Sequence, residues 1–152
     1  MELRENDKRI LRALQKDANL SLKDLAETLS MSQTTVWRRI NDFEKSGLIV
    51  SRVTLLDPHK VGTDVCIFVN VNVVSHDLEC RRNFEDFVAL SPFIVECFSV
   101  TGAHDYTLIV RTKSVEAFER FLMNTILAHK SVAAASSQIA LKQHKYSTEI
   151  PI

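Results

Sequence analysis

The sequence predicts an α+β chain of two domains that meet near residue 60. Apolar side chains recur at helical spacing in the first sixty residues and at every second position in several later runs. The 152 residues are enough for two small cores, and only 3 Gly and 3 Pro leave little room for a long disordered linker. We therefore assign residues 1–60 and 61–152 to separate domains.

Three short helices are predicted in the first domain. Apolar spacing places the first at about residues 7–17 and the second at 21–29. The second opens at Ser21 with the S-x-x-D pattern of a capping box, in which side-chain oxygens accept from otherwise unpaired backbone N–H groups. Ser32 begins the third helix as another N-cap, and Gly47 ends it because glycine adopts the left-handed conformation at little cost.

Two short helices joined by a tight turn, with polar residues on the outer face of the second, are typical of a helix-turn-helix. Residues 48–56 follow with loosely alternating hydrophobicity and predict the strands of a wing. The first domain is therefore expected to be a winged helix-turn-helix that binds double-stranded DNA. The candidate DNA-binding residues lie in or beside the third helix: Ser32, Gln33, Thr34, Thr35, Trp37, Arg38, Arg39, Asn41 and Lys45.

The outer face of the third helix lies opposite the apolar stripe formed by Val36, Ile40 and Phe43. On that face Arg38 can donate two hydrogen bonds to a guanine, and Lys45 can neutralise a phosphate. Every surface helix carries polar residues, so the face alone favours simple contact with solvent. The capped short helix that precedes it shifts the balance toward DNA.

Two residues of this helix leave alternatives open. Arg39 lies on the flank of the apolar stripe, where it serves either the structure or a phosphate rather than a base. Trp37 either covers the edge of the core or presses on a sugar or a thymine methyl group, and partial packing is slightly favoured.

The second domain predicts the order βαββαβ, a ferredoxin-like sheet backed by two helices. The expected strands lie at 65–73, 94–100, 106–112 and 133–141, and the expected helices at 82–90 and 114–126. The helices cover only one face of such a sheet. Cys66 and Phe68 make the other face of the first strand apolar, and an exposed apolar face in a small domain usually meets a partner. We therefore expect a symmetric homodimer.

Composition excludes several other classes of protein. The chain has 19 Lys and Arg and 19 Asp and Glu, so its formal net charge is zero. Residues 1–60 contain 11 Lys and Arg and 9 Asp and Glu, a small net charge of +2. No apolar run reaches the ~18 residues of a membrane span, and the charged N-terminus lacks the apolar stretch of a signal peptide. We expect a cytoplasmic, nucleoid-associated protein. The three cysteines have no metal-ligand spacing and no catalytic constellation stands out, so neither a metal, a cofactor nor an enzymatic activity is expected.

The two halves together resemble the Lrp/AsnC family, the feast/famine regulators of prokaryotes. The resemblance covers about residues 6–152, and it rests on the order and spacing of several short pieces rather than on any one of them. These pieces are Asp7–Asp17, Leu29–Ser32, Glu44–Ile49, Leu56-Asp57-Pro58, the G-x-x-D-Y pattern within Thr101–Tyr106, Ser136-Ser137 and Lys145–Pro151.

The resemblance implies dimers through the C-terminal sheets, often assembled into octamers, and a free amino acid bound between dimers near the G-x-x-D-Y loop. A zwitterion needs an acid for its ammonium group, which Asp105 can supply, and N–H donors for its carboxylate, which the Gly102 turn can supply. Taken without the resemblance, Asp105 would more simply bond the backbone of its own turn. The candidate effector-binding residues are Thr101, Gly102, His104, Asp105, Tyr106, Ser136, Ser137 and Gln138.

Two other functions compete with an amino-acid-responsive regulator. Haem-pathway decarboxylases of the sirohaem type resemble this family in both domains, and here His104 and Arg111 could be recruited for such chemistry. Against that alternative, an enzyme would not need the polar outer face of the third helix. The other is an architectural DNA-wrapping protein without a ligand, against which the residues of the Gly102 turn argue mildly.

Overall fold

The computed structural model describes residues 3–152 and divides the chain into two compact units. The N-terminal unit comprises the chain up to Leu55 together with His144–Ile152, and the C-terminal unit comprises Leu56–Gln143. The predicted boundary near residue 60 therefore lies five residues from the observed one. The tail differs from the prediction, which placed it in the second domain, because it packs on the first helix.

The N-terminal unit contains the three expected helices, α1 (Glu5–Lys16), α2 (Leu22–Leu29) and α3 (Gln33–Lys45). Ser21 and Ser32 cap α2 and α3, since their hydroxyls accept from the backbone N–H groups of Asp24 and Thr35. Helix α1 begins earlier than expected, which places Asp7 inside its first turn. The helices enclose one buried core: Ile10, Leu11, Leu25, Ala26, Leu29, Val36 and Phe43.

The prediction of wing strands at residues 48–56 is wrong for the single chain. The segment forms no β-ladder with any described residue, and apart from Ile49, which packs on the core, its side chains are exposed, with Val50 89% and Val53 71% exposed. Alternating hydrophobicity favours an extended backbone, but a strand also needs a hydrogen-bonded neighbour. The segment therefore leaves α3 as an extended connection.

The tail lies along α1 and is held there by hydrogen bonds between side chains of the helix and the backbone of the tail. The Gln15 side chain accepts from the backbone N–H of Ile150 at 2.6 Å and donates to its carbonyl oxygen at 3.1 Å. Arg12 donates from Nε to the carbonyl oxygen of Ile152 at 2.8 Å, and the Ile152 side chain packs against the core.

Replacing Gln15 with alanine is expected to release this tail. Both bonds to Ile150 would be lost, at a cost of about 1 kcal/mol because they are exposed to water. Cleavage by trypsin after Lys145, followed by mass spectrometry, should become several-fold faster than in the wild type. Gln33→Ala, a control at an exposed residue of α3, should leave the rate unchanged; equal rates in all three proteins would contradict the docked tail.

The C-terminal unit has the predicted βαββαβ order, with all strands antiparallel in the sheet order β2-β3-β1-β4. Its elements are β1 (Val65–Val73), α4 (Leu78–Leu90), β2 (Ile94–Ser99), β3 (Tyr106–Thr112), α5 (Val115–Phe121), a π-turn (Leu122–Ile126) that continues α5, and β4 (Val132–Ile139). Helix α4 begins one turn before the prediction because the Asp77 carboxylate accepts from the backbone N–H of Cys80 at 2.8 Å.

One face of the sheet packs on the helices and the other does not. Ile67, Val69 and Val71 of β1 are fully buried against the helix side, around the ring of Phe84. We call the opposite side the open face; by strand pairing it carries Phe68, Asn70, Asn72, Glu96, Phe98, Thr107, Ile109, Ser136 and Gln138.

A register shift between Ile94 and Glu96 interrupts β2, which the sequence did not predict. Because of this bulge, Ile94 lies opposite Val110 on the helix side, whereas Glu96 and Phe98 turn to the open face. The bulge therefore adds the half-exposed ring of Phe98 to the open face.

Candidate functional site

Helix α3 presents its predicted outer face to solvent. Val36 and Phe43 are both 0% exposed and fix the rotation of the helix about its axis. Because these anchors lie on one side, Arg38 and Lys45 are exposed on the other, and Asn41 lies half-buried beside them. The remaining exposed candidates on the first turns are Ser32, Gln33, Thr34 and Thr35.

Cationic side chains on this face are available to an outside partner. Within residues 3–152, Arg38 and Lys45 have no carboxylate at ion-pair distance, whereas Arg52 pairs with Glu44 at 2.9 Å. Both free cations stand on the exposed side of one helix. The face can therefore meet an anionic surface without first breaking an ion pair of its own.

Trp37 is largely exposed. Its side chain is 59% exposed, and it borders a surface depression together with Leu20 and Ile40. Its exposed surface faces outward with Arg38 and Asn41. The choice between covering the edge of the core and contacting DNA therefore stays open.

Arg39 differs from the other candidates because its guanidinium group is held inside the unit. Its Nε donates to Asp7 Oδ1 at 2.7 Å, and the guanidinium lies 5.2 Å from the centre of the Phe43 ring. The hydrogen bond from Arg39 is the main reason that the pKa of Asp7 is lowered, against the effect of burial. The sequence left open whether Arg39 serves the structure or contacts a phosphate, and these contacts favour the structural role.

In the C-terminal unit, the turn between β2 and β3 is held by Asp105. Gly102 adopts a φ of 118°, which side-chain-bearing residues rarely adopt. The backbone N–H of Asp105 donates to the Val71 carbonyl at 3.1 Å, and its carboxylate accepts from the backbone N–H of Val73 at 2.9 Å. The other carboxylate oxygen lies 3.7 Å from His76 Nδ1. One oxygen of Asp105 is thus used by the fold, while the other faces outward.

Beside this turn, the open face carries a cluster of polar side chains. His104 Nδ1 lies 3.0 Å from Asn72 Oδ1, and Thr107 donates to Asn70 at 2.8 Å. Ser136 of β4 stands opposite Asn70 in the ladder, and Gln138 is two residues further along the same face. The structure therefore brings His104, Ser136 and Gln138 to one face, next to the turn that holds Thr101, Gly102 and Asp105.

Two of the predicted effector-binding residues lie elsewhere in the unit. Tyr106 is 4% exposed, packs against Phe84 with ring centres 4.7 Å apart at an interplanar angle of 48°, and donates to Glu85 at 3.1 Å. Burial first, and then the Glu85 carboxylate, raise the pKa of its hydroxyl. Ser137 stands opposite Val69 and belongs to the helix side. In this chain, Tyr106 holds the turn to α4 rather than lining the open face.

Asn70, Asn72 and Thr107 belong to the polar cluster but were not predicted from the sequence. A pattern for the first two was present, because asparagine at alternate positions of a valine-rich strand is unfavourable unless its amide finds a partner. Thr107 alone gave no such indication, since threonine is common in strands.

Comparison with known proteins identifies the family. Residues 66–150 match the family model described as the Lrp/AsnC ligand binding domain, and residues 3–50 match a winged helix-turn-helix DNA-binding model. The chain belongs to the Lrp/AsnC family. Its predicted α+β fold, with a helix-turn-helix followed by a four-stranded sheet and helices, is thereby confirmed.

Individual relatives of this Lrp/AsnC chain are similar over nearly their whole length. The glutamate uptake regulatory protein of Zymomonas mobilis is 32% identical over 151 residues, which is 99% of this chain and 92% of that protein. An AsnC family transcriptional regulator from Agrobacterium tumefaciens has 38% identity and a TM-score of 0.93, covering 98% and 97% of the two chains. A transcriptional regulator from Neisseria meningitidis in complex with L-methionine has 30% identity and a TM-score of 0.94, covering 99% and 97%.

These relatives are described as regulators, so the decarboxylase alternative finds no support among them. Among the residues that the structure describes, no group of three His, Cys, Asp or Glu side chains could hold a metal ion. The described helices are also too short or too polar to cross a membrane. The Cys66, Cys80 and Cys97 thiols are free.

Proposed function

We propose that this Lrp/AsnC chain is a sequence-specific DNA-binding transcription regulator, without catalytic activity of its own, whose DNA affinity changes when an amino acid binds. The observation that carries the proposal is the outer face of α3. Arg38 and Lys45 stand there unpaired among the described residues, on a helix whose rotation is fixed by the buried Val36 and Phe43.

The chemistry of α3 suits the major groove. Arg38 has two N–H groups in the geometry that guanine O6 and N7 accept, and the amide of Asn41 pairs in the same way with adenine. Thr34, at the beginning of the helix, adds a hydroxyl and an N–H group for phosphate oxygens, whereas the Ser32 hydroxyl and the Thr35 N–H are joined in the helix cap. Arg39 contributes indirectly, because its bonds to Asp7 fix α3 against α1.

The effector site we propose joins the Gly102 turn to the polar cluster of the open face. The outward oxygen of Asp105 would accept from the ammonium group of an amino acid, in place of its long contact with His76. N–H groups of the turn would bind the carboxylate, and His104, Ser136 and Gln138 would contact the rest of the molecule. The L-methionine complex of the Neisseria relative supports an amino acid as the class of ligand.

The open face supports a homodimer. Phe68 is 39% exposed and Phe98 51% exposed on this face, and burying them against a second copy would be favourable. A two-fold pair would also set two copies of α3 against successive turns of DNA. Assembly of dimers into an octamer, with a neighbour completing the effector site, and a cytoplasmic, nucleoid-associated location belong to the same proposal.

Arg38→Ala tests the DNA-binding part of this proposal. Binding to the DNA immediately upstream of the protein's own gene, measured by fluorescence anisotropy at fixed salt, should weaken about 5- to 150-fold, which corresponds to about 1–3 kcal/mol. The fold should be intact because Arg38 is exposed.

Arg82→Ala, which removes an exposed arginine of α4 in the other unit, is the matched control and should bind as the wild type does. An Arg38→Ala protein with unchanged affinity would remove α3 from the proposed recognition surface.

A further inference from the structure

A groove in the C-terminal unit lies at the far end of the sheet from the Gly102 turn. It is lined by residues before β1, at the start of β2 (Phe93), at the end of β3 (Thr112, Lys113), and in α5 and the π-turn (Ala117, Arg120, Phe121). Strand β3 separates the two sites, since the turn precedes Tyr106 and the groove begins at Thr112, a distance of about 20 Å along the strand. The groove is thus distinct from the proposed effector site.

The size and floor of the groove suit a small organic molecule. It is an open surface depression with a volume of about 610 Å³. Two aromatic rings belong to its lining, Phe93 and Phe121, whose centres lie 5.2 Å apart at an interplanar angle of 56°. Phe93 is 46% exposed, so an apolar ligand would remove aromatic surface from water on binding.

The charges at the groove have one sign. Lys113 and Arg120 are both part of its lining, and among the described residues that line it there is no Asp or Glu. Neither cation has a carboxylate at ion-pair distance within residues 3–152. Glu116, one turn before Arg120, lies outside the lining, and the pKa of its carboxyl is lowered mainly by a hydrogen bond from Ser114, with a smaller contribution from the charge of Arg120. The groove itself therefore places two cations beside an apolar surface.

The π-turn adds neutral polar groups to the same groove. The backbone N–H of Leu127 donates to the carbonyl of Leu122 at 2.8 Å, five residues back, which widens the helix at this point. Such single wide turns occur frequently at functional sites. Asn124 and Thr125, both within the turn, line the groove and can bond a ligand oxygen.

We propose that this groove binds an organic carboxylate that has an apolar body and no ammonium group. The carboxylate pairs with Arg120 and Lys113, and the apolar body covers Phe93 and Phe121. A free amino acid is disfavoured because its ammonium group would lie between two cations with no acid to accept from it. The two sites of the unit thus differ in charge, since only the Gly102 turn has a carboxylate, that of Asp105, for an ammonium group.

Three probes that share a phenyl ring and differ in charge test this inference on the full-length chain. They are 3-phenylpropionate, its amino-acid counterpart L-phenylalanine, and 2-phenylethylamine, which lacks the carboxylate. Chemical-shift changes at Phe93, Lys113 and Thr125 amides report on the groove alone. We expect saturable binding of 3-phenylpropionate, at least about tenfold weaker binding of L-phenylalanine at these amides, and no binding of the amine.

Two variants locate the ligand. Arg120→Gln should weaken 3-phenylpropionate binding at least about tenfold, and Ala117→Leu should block the groove sterically. Arg82→Gln, the matched control on α4, should bind as the wild type does. Asp105→Asn should also leave this binding unchanged, which separates a failure of the groove from a failure of the proposed effector site. The inference is overturned if 3-phenylpropionate does not saturate these amides, if the other probes bind equally well, or if Arg120→Gln has no effect.

Discussion

Replacing Asp7 with asparagine is expected to lower the free energy of unfolding of the N-terminal unit by about 2–3 kcal/mol. The Asp7 side chain is only 4% exposed and holds the guanidinium group of Arg39, 32 residues away on α3. Removing one partner of a buried pair leaves the other charge without compensation, which costs about 3–5 kcal/mol in fully buried cases. Arg39 is 25% exposed, so water screens part of this cost.

Urea unfolding followed by the fluorescence of Trp37, the single tryptophan, measures this change within the N-terminal unit. Asp42 supplies a matched control, because it contacts the same Arg39 at 3.6 Å but is 48% exposed. Asp42→Asn should cost less than about 1 kcal/mol. Equal losses of unfolding free energy in Asp7→Asn and Asp42→Asn would show that burial does not strengthen the ion pair between Asp7 and Arg39.

The same ion pair predicts a dependence on acid. The pKa of Asp7 is lowered in the folded chain, chiefly by the hydrogen bond from Arg39. The pair therefore contributes its full stability above the ordinary pKa of 3.8, and the contribution is lost as the pH falls through the lower folded value. The stability difference between the wild type and Asp7→Asn should shrink over this acidic range and stay constant near neutral pH.

Replacing Asp105 with asparagine is expected to abolish the response to an amino acid while leaving DNA binding intact. The amide oxygen can still accept from the Val73 N–H, so the unfolding free energy should change by less than about 1 kcal/mol. The negative charge that we propose for the ammonium group is lost. The measurement is the DNA affinity with and without each of the common amino acids.

Asp105→Ala separates the two roles of this side chain. It removes the acceptor for the Val73 N–H as well as the charge, so it should also lower the unfolding free energy by about 1–3 kcal/mol. A normal amino-acid response in Asp105→Asn would move the effector site away from the Gly102 turn.

Much of the fold could be predicted from sequence because its determinants are local. Ser21 and Ser32 cap helices whose residues follow directly, and the alternation of valines in β1 fixes which face is buried. The errors have two causes. Asp77 is a local cap, but it lies one turn before the clear apolar stripe of α4, and the bulge after Ile94 has no local pattern because it depends on pairing with β3.

The candidate sites were less predictable because distant residues decide the role of each side chain. Arg39 lies on the same helix as the residues expected to contact DNA, so its position in the sequence suits that role too. Only its bonds to Asp7, on another helix, assign it a structural role. Tyr106 follows the turn directly, yet the alternation of the strand sends it into the core beside Phe84. Asn72 joins the polar cluster through His104, 32 residues later in the chain.

The central claim is tested most directly by titrating the wild-type chain against the DNA upstream of its own gene and against a scrambled duplex of the same composition, at one salt concentration. The proposed regulator should bind the upstream fragment with a Kd of about 10 nM or below and the scrambled duplex at least about 1,000-fold more weakly. An amino acid that acts as the effector should then change the affinity for the upstream fragment and leave the affinity for the scrambled duplex unchanged. Equal affinity for the two duplexes, with or without amino acids, would contradict the claim that α3 recognises a sequence.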